Sequence, residues 1–370
     1  MEKAYKFRLY PNKEQEMLLQ KTFGSVRFVY NHYLSKRKEL YIEQGVTFGY
    51  NKCSADLTQL KKLDKYSWLK EVDSTALQSS LKDLDLAFKN FFRRAKQGDK
   101  KVGYPRFKSK KLSKKSYTAK MNIHLDERHI KLPKLGLVKC RVSKQIEGRI
   151  LSATIEQRPS GKYFVSVLCT DVEVEILDKT NTSIGVDLGL KTFATLSNGE
   201  IYNHPKAMNK SLKKLAKLQK QLSRKQIGSS NRNKTRVKVA RLHEKIANQR
   251  NDFSHKLSTN MVRDFDVIAI ENLQVKNMVK NKRLARHITD ASWSEFVRQM
   301  EYKANWYGKS IVKVDTFYPS SQLCSACGYQ NKEMKDLKIR RWTCPICNAI
   351  HDRDINASIN ILNKGLSQTA

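Results

Sequence analysis

Two paired motifs, Cys324-Ser325-Ala326-Cys327 and Cys344-Pro345-Ile346-Cys347, stand just ahead of His351-Asp352-Arg353-Asp354-Ile355-Asn356-Ala357. Sixteen residues separate the pairs. That is a ribbon spacing, at which four thiolates close a tetrahedron around one Zn2+. With Cys324, Cys327, Cys344 and Cys347 all as ligands, no coordination position stays open, so the ion is expected to hold the fold and not to do chemistry. Lys332, Lys335, Lys338, Arg340, Arg341 and Trp342 lie between the pairs. Nucleic-acid contact and a solvated turn are equally compatible with that composition. Behind the clamp an acidic run opens an apolar helix from about residue 353.

The rest of the composition points the same way. The 370 residues carry 72 Lys+Arg against 35 Asp+Glu, a formal charge of +37. A chain this basic repels itself unless a polyanion screens it, and nucleic acid is the foremost polyanion. A membrane surface fits less well, because no run approaches the length of a span and no polybasic amphipathic anchor stands out. The first ten residues, Met1 to Tyr10, read as a charged alternating strand and not as a signal peptide. Cys53, Cys140 and Cys169 are scattered in apolar contexts, which suits a reducing cytoplasm better than a disulfide framework.

Outward from the cysteines, the periodicity changes several times. Residues 3–10 predict a strand, 13–43 one long or two short helices, and 54–63 another helix. Residues 75–97 predict a helix with a Thr75/Gln78 capping box and an apolar stripe through Leu77, Leu81, Leu84, Phe88, Phe91 and Phe92. Residues 93–120 hold twelve Lys/Arg against one Asp and read as a loop or strand margin. Residues 121–176 predict five short strands of an antiparallel barrel or sheet, which the first strand could join. From residue 182 a strand, a hairpin and two basic helices follow, with fourteen Lys/Arg and one Glu over 209–250. Then come a buried strand, a helix over 291–307, a strand over 310–314, the cysteine knuckle and the last helix.

Three acids occupy comparable places in this order. Asp187 closes Ser183-Ile184-Gly185-Val186, Glu271 closes Val267-Ile268-Ala269-Ile270, and Asp354 opens the final helix. In open α/β sheets ligands gather at strand ends. Carboxylates there bind hard cations through oxygen, and two Mg2+ ions can clamp the attacking and leaving oxygens of a phosphodiester. Each acid alone reads equally as a turn or cap residue. Their order along the chain has the layout of a ribonuclease H-like fold.

The residues also resemble a known family. Tyr5-Lys6-Phe7-Arg8-Leu9-Tyr10-Pro11, Phe28-Val29-Tyr30-Asn31, Gly103-Tyr104-Pro105-Arg106-Phe107-Lys108, Gly185-Val186-Asp187-Leu188-Gly189, Ser320-Ser321-Gln322-Leu323-Cys324 and Asp352-Arg353-Asp354-Ile355-Asn356-Ala357 are similar to stretches of TnpB, also called OrfB, the protein of many bacterial insertion sequences. The resemblance implies an α/β multidomain protein and an RNA-guided DNA endonuclease, related to the compact type V CRISPR effectors. Its parts would be a wedge strand (1–12), a helical recognition domain (13–100), a wedge β-barrel (101–180), a ribonuclease H-like (RuvC) nuclease domain (181–322), an inserted zinc ribbon (323–350) and a last RuvC helix with tail (351–370).

It implies a catalytic triad of Asp187, Glu271 and Asp354 holding Mg2+, partners in a transposon-end guide RNA and in double-stranded DNA with an adjacent motif, and a monomer working in the bacterial cytoplasm near the nucleoid. Phe48, Ser54 and Gln78 would lie near the motif, and Lys82, Arg106, Lys108, Lys110 and Lys111 on the nucleic acid. A protein making about ten phosphate contacts loses roughly 10³–10⁵ in affinity between 50 and 200 mM salt, so charge supplies binding but not selectivity. A guide-dependent repressor that does not cut, and a ribonuclease H-like DNA-joining transposase, are the rival readings.

Overall fold

A computed structural model describes residues 1–99, 102–111, 113–336 and 338–368. Lys100 and Lys101, at the expected boundary of the recognition domain and inside the first basic block, lie outside the described residues, as do Leu112, Leu337, Thr369 and Ala370. The chain forms two compact units, residues 1–173 and 174–370. Among the described residues no helix is long and apolar enough to cross a membrane.

The first unit begins with β1 (Lys3–Tyr10) and one continuous helix, α1 (Lys13–Gln44). Asn12 starts that helix with a reciprocal box: its side chain accepts the Gln15 N–H at 2.8 Å, and the Gln15 side chain accepts the Asn12 N–H at 3.0 Å. Gly45, at φ 64°, ends it. Next come α2 (Tyr50–Leu60) and α3 (Ser74–Lys96). The expected Thr75/Gln78 box is not what starts α3. Asp73 is the cap, accepting the Thr75 N–H at 3.0 Å and the Thr75 hydroxyl at 2.6 Å. A carboxylate two residues further upstream is the stronger acceptor and takes the hydroxyl for itself.

Six more strands follow: β2 (Lys115–Ala119), β3 (His124–Leu125), β4 (His129–Leu132), β5 (Gly136–Arg141), β6 (Arg149–Gln157) and β7 (Tyr163–Thr170). Together with β1 they make an antiparallel sheet in the order β2-β6-β7-β1-β5-β4-β3. β1 lies in its middle, paired to β7 and β5. The expected barrel is an open sheet, since β2 and β3 at its edges are not paired to each other among the described residues. Alternation sets its two faces: Tyr5, Phe7 and Leu9 are buried, as are Tyr163, Val165 and Val167.

The second unit is built on β8 (Ser183–Leu188), β9 (Ala194–Leu196), β10 (Ile201–Tyr202), β11 (Val267–Glu271) and β12 (Ser310–Val314). The sheet order is β10-β9-β8-β11-β12. β8, β11 and β12 run parallel, and β9 lies antiparallel to β8. The parallel strands β8 and β11 read as apolar runs because helices cover both their faces. The unit's helices are α4 (Ala207–Ser223), α5 (Ser230–Asp264), α6 (Val275–Met278), α7 (Ala285–Ala291), α8 (Trp293–Tyr307) and α9 (Arg353–Leu366), of which α4 packs on α5. A short ribbon, β13 (Arg341–Thr343) with β14 (Ile350–Asp352), leads into α9.

Parity assigns the layers. Ile184, Val186, Ile268 and Ile270 pack in one core with Leu257 and Met261 of α5 and with Phe296 and Met300 of α8. Ala269 packs on the opposite face with Ile361 of α9. α9 lies so close there that a Cβ on Gly185 would stand 2.0 Å from the Ser358 carbonyl oxygen and 2.8 Å from the Leu362 nitrogen. Both are backbone atoms and cannot swing aside. Gly185→Ala should therefore destabilise the second unit by about 3 kcal/mol or more, in urea unfolding followed by tryptophan fluorescence. Gly24→Ala, inside α1 with nothing within 4 Å of the added carbon, should instead stabilise the first unit by up to about 1 kcal/mol.

Candidate active site and metal knuckle

The same parity that buries Val186 and Ile270 turns their neighbours toward α9. Asp187 stands two residues beyond Gly185, and Glu271 two beyond Ala269, so both point to the α9 face at the ends of adjacent parallel strands. Asp187 lies within β8, opposite Thr195 of β9, and not just past the strand. Asp354 lies in the first turn of α9, one turn before the Ser358 that meets Gly185. Asp352 caps that turn, accepting the Asp354 and Ile355 N–H groups at 3.0 and 3.2 Å.

The three carboxylates are electrostatic neighbours. Asp187 keeps some accessible surface but is densely surrounded. Burial, then the charge of Glu271, then that of Asp354, holds its carboxyl well above the usual carboxylate range. Burial lifts Glu271 as well, against a hydrogen bond from the Ser320 hydroxyl at 2.7 Å that pulls it down. Asp354 is turned toward the Arg340 guanidinium, at 3.0 and 3.3 Å. That pair is partly exposed and worth at most about 1 kcal/mol, so it opens easily.

The four cysteines converge more tightly. All four sulfurs lie within 4.8 Å of one another, and among the described residues no other group of acids, histidines or cysteines does so. The Cys324–Cys347 and Cys327–Cys344 separations are both 3.6 Å. A tetrahedron with metal–sulfur bonds of about 2.3 Å has edges of about 3.8 Å, so the donor set fits zinc. Each pair sits on the same turn. Gly328 N–H donates to Cys324 O at 2.8 Å, and Asn348 N–H to Cys344 O at 2.9 Å. Both turn residues are left-handed, Gly328 at φ 79° and Asn348 at φ 57°. Against the upward pull of burial, backbone N–H groups of Cys347 and Ile346 lower the Cys344 thiol to about 7, while at Cys327, against the downward pull of the Tyr329 N–H, burial and hydrogen bonds among the sulfurs push the thiol up to about 12.

Several residues here escaped the sequence reading. His351 is buried, places Nε2 3.1 Å from the Cys324 sulfur and stacks on Trp342 at 4.8 Å. Asn356 and Asn360 of α9 hold the segment ahead of Cys324 through the Leu323 carbonyl, at 2.6 and 2.7 Å. Arg353, also buried, donates to the Asp336 carbonyl at 2.7 Å. Its signal was present in the Asp352-Arg353-Asp354 run, but a buried arginine beside two acids reads as a surface charge when only the sequence is at hand.

The remaining candidates lie in the first unit. Lys82 lines a cleft of about 690 Å³ with Tyr50, Lys52, Asp85 and Lys89, its ammonium 5.4 Å from the Tyr50 ring centroid. The Phe48 ring carries Lys36 at 5.3 Å. Ser54 is half-buried and Gln78 exposed, and neither lines that cleft. Arg106, Lys110 and Lys111 are exposed. Lys108 instead folds its ammonium over Tyr30 at 4.0 Å, and its backbone is clasped by the Asn31 amide at 2.8 and 2.9 Å.

Three family models match the chain. One described as "Probable transposase" covers residues 167–282, one described as "Cas12f1-like, TNB domain" covers 293–361, and one described as "Helix-turn-helix domain" covers 1–45. In the last range the structure has a strand and one helix. A protein of Streptomyces pristinaespiralis is 40% identical over the whole chain and 91% of its own length, and one of Escherichia coli K12 is 35% identical over 98% of the chain and 92% of its own length. Both carry the name "Putative RNA-guided DNA endonuclease". A Cas12f1–sgRNA–target DNA complex aligns over 98% of this chain and 99% of its own, at 17% identity and a TM-score of 0.37. The identities with the Streptomyces and Escherichia proteins, each over more than nine-tenths of both lengths, place the chain in one class with them. The chain belongs to the TnpB/OrfB family.

The raised carboxyls of Asp187 and Glu271 fix a sign. An acid whose folded pKa exceeds its unfolded value, near 4, burdens the fold above the folded pKa and stops doing so as pH falls toward the unfolded one. Asp187→Asn should raise the thermal midpoint of the metal-free protein near neutrality by about 2–4 °C, with the gain shrinking toward about pH 5. Mg2+ should raise the midpoint of the wild type and leave the variant unmoved. Differential scanning fluorimetry reads both.

Proposed function

We propose that this chain is a transposon-encoded, RNA-guided DNA endonuclease whose hydrolytic centre is Asp187, Glu271 and Asp354. The observation that carries the reading is the gathering of these acids on the α9 face, close enough for Glu271 and Asp354 to raise the Asp187 carboxyl. Three like charges in partial burial are costly unless a cation joins them. The sheet order β10-β9-β8-β11-β12, with only the β8 side antiparallel, supports a ribonuclease H-like (RuvC) domain. The names of the relatives from Streptomyces and Escherichia support the activity.

Asp187, Glu271 and Asp354 would hold Mg2+, which supplies charge to the attacking and leaving oxygens of a phosphodiester. The chain's own share is to fix the carboxylates. β8 and β11 set Asp187 and Glu271 side by side, Asp352 caps the turn that bears Asp354, and Ser320 orients Glu271. Arg340 occupies Asp354 and must release it for the acid to turn inward. Zn2+ on the four cysteines closes the knuckle and takes no part in the chemistry.

In the same reading the guide is RNA from the end of the element, and base pairing selects the DNA strand. The seven-stranded sheet is the wedge, and α1–α3 form the recognition part. The Lys82 cleft and Phe48 read the adjacent duplex motif, with Ser54 and Gln78 beside them. Arg106, Lys110 and Lys111 meet phosphates, Lys108 once it leaves Tyr30. The chain works as a monomer in the bacterial cytoplasm.

Asp187→Ala, Glu271→Ala and Asp354→Ala should each lower guided cleavage by about 10³-fold or more while leaving affinity for copurified RNA unchanged. The measurement is cleavage of a matched duplex in Mg2+, with filter binding of the RNA alongside. Wild-type protein loaded with RNA and Mg2+ that leaves matched DNA whole would refute the reading.

A further inference from the structure

We propose that Ser320 is a positioning residue for Glu271, and that through it the acid site depends on the cysteine knuckle. This rests on the reading of Glu271 as a divalent-cation ligand. Ser320 is buried, 5% exposed. Its hydroxyl donates to Glu271 Oε1 at 2.7 Å, while Oε2 makes no hydrogen bond among the described residues. One oxygen is therefore held and the other stays available to a cation. An oriented carboxylate is a better ligand than one that must be frozen on binding, because outer-shell hydrogen bonds fix the ligand before the ion arrives.

What fixes Ser320 is the knuckle's mount. The segment 320–325 belongs to no strand or helix, so its shape comes from α9. Asn360 donates to the Ser320 carbonyl at 2.8 Å and to the Leu323 carbonyl at 2.7 Å. Asn356 donates to the Leu323 carbonyl at 2.6 Å and accepts the Ser325 N–H at 2.9 Å. Both amides are buried, 1% and 5% exposed. The residue after Leu323 is Cys324, whose sulfur lies 3.6 Å from that of Cys347. Ser320 is thus tied at one end to α9 and, four residues on, to the cysteine cluster. Opening the cluster removes one of the two anchors of this segment, leaves the α9 amides as the other, and loosens the hold on Glu271.

The test uses the full-length protein without nucleic acid and reads Mn2+ binding from the signal of the free ion in electron paramagnetic resonance, with zinc content measured in parallel. Ser320→Ala should bind Mn2+ about 10–100-fold more weakly with zinc content unchanged, and Ser320→Thr, which keeps the hydroxyl, should restore most of the affinity. Cys347→Ser, which opens the knuckle, should weaken Mn2+ binding in the same direction. Wild-type Mn2+ affinity in Ser320→Ala overturns the proposal. Loss of zinc in that variant, or failure of Thr to rescue, makes the serine merely structural and overturns it too. Unchanged Mn2+ affinity in Cys347→Ser removes the link to the knuckle. Glu271→Gln separates the two readings: if it binds Mn2+ as the wild type does, the metal assignment of Glu271 has failed, whatever Ser320 does.

Discussion

The contact of α9 with Gly185 is the constraint from which the second unit takes its form. A helix normally stands off a sheet by the length of its side chains. Here a bare Cα lets the Ser358 carbonyl reach the strand itself, and Gly365 repeats the approach at Ala269. Because the helix is seated at backbone distance, its first turn reaches the ends of β8 and β11, where Asp187 and Glu271 emerge. Its next turns also present Asn356 and Asn360 at the right height to hold the chain before Cys324. One residue without a side chain thus joins the carboxylates, the helix and the knuckle.

The electrostatics run against that packing. Folding the unit crowds three acids together within a protein of formal charge +37, although abundant cations are available elsewhere. Arg340 pairs with Asp354, and the charges of Arg353 and Arg340 offset only part of the upward pull on Asp187. Asp266 shows what the fold does with an acid it means to satisfy: it accepts two backbone N–H groups and the buried Lys309 ammonium, and its carboxyl is held far below the usual range. Asp187 receives no such treatment. That contrast within one unit separates a carboxylate the fold satisfies from one it leaves strained, as the proposed cation ligation at Asp187 requires.

Much of this was legible beforehand, for reasons that differ by element. The cysteines were readable because ligand spacing is local: two Cys-x-x-Cys turns need only four residues each to declare themselves. The acids were readable because Gly185-Val186-Asp187 and Ala269-Ile270-Glu271 carry the parity of a strand within three letters. Ser320 was not, since a serine after proline looks like any turn. Arg340 was hidden by its basic neighbours. The strand at Lys115–Ala119 shows in the sequence only as part of a charged loop or strand margin, because lysines flank it and the buried Tyr117 and Ala119 alternate over only five residues. Whether the first sheet closed could not be read at all, because closure depends on the pairing of edges far apart in sequence.

The place of β1 in that sheet bears on how the chain is made. β1, which precedes its partners in the chain, lies between β5 and β7 in the sheet. Its backbone waits unpaired on one side until β5 is made and on the other until β7 is, while α1 and α3 can already coil from local contacts. Such long-range pairing is slow to form, so the nascent protein carries an open, lysine-studded strand until then. The charges on that strand, Lys3, Lys6 and Arg8, guard it against strand-to-strand association with other nascent chains during the wait.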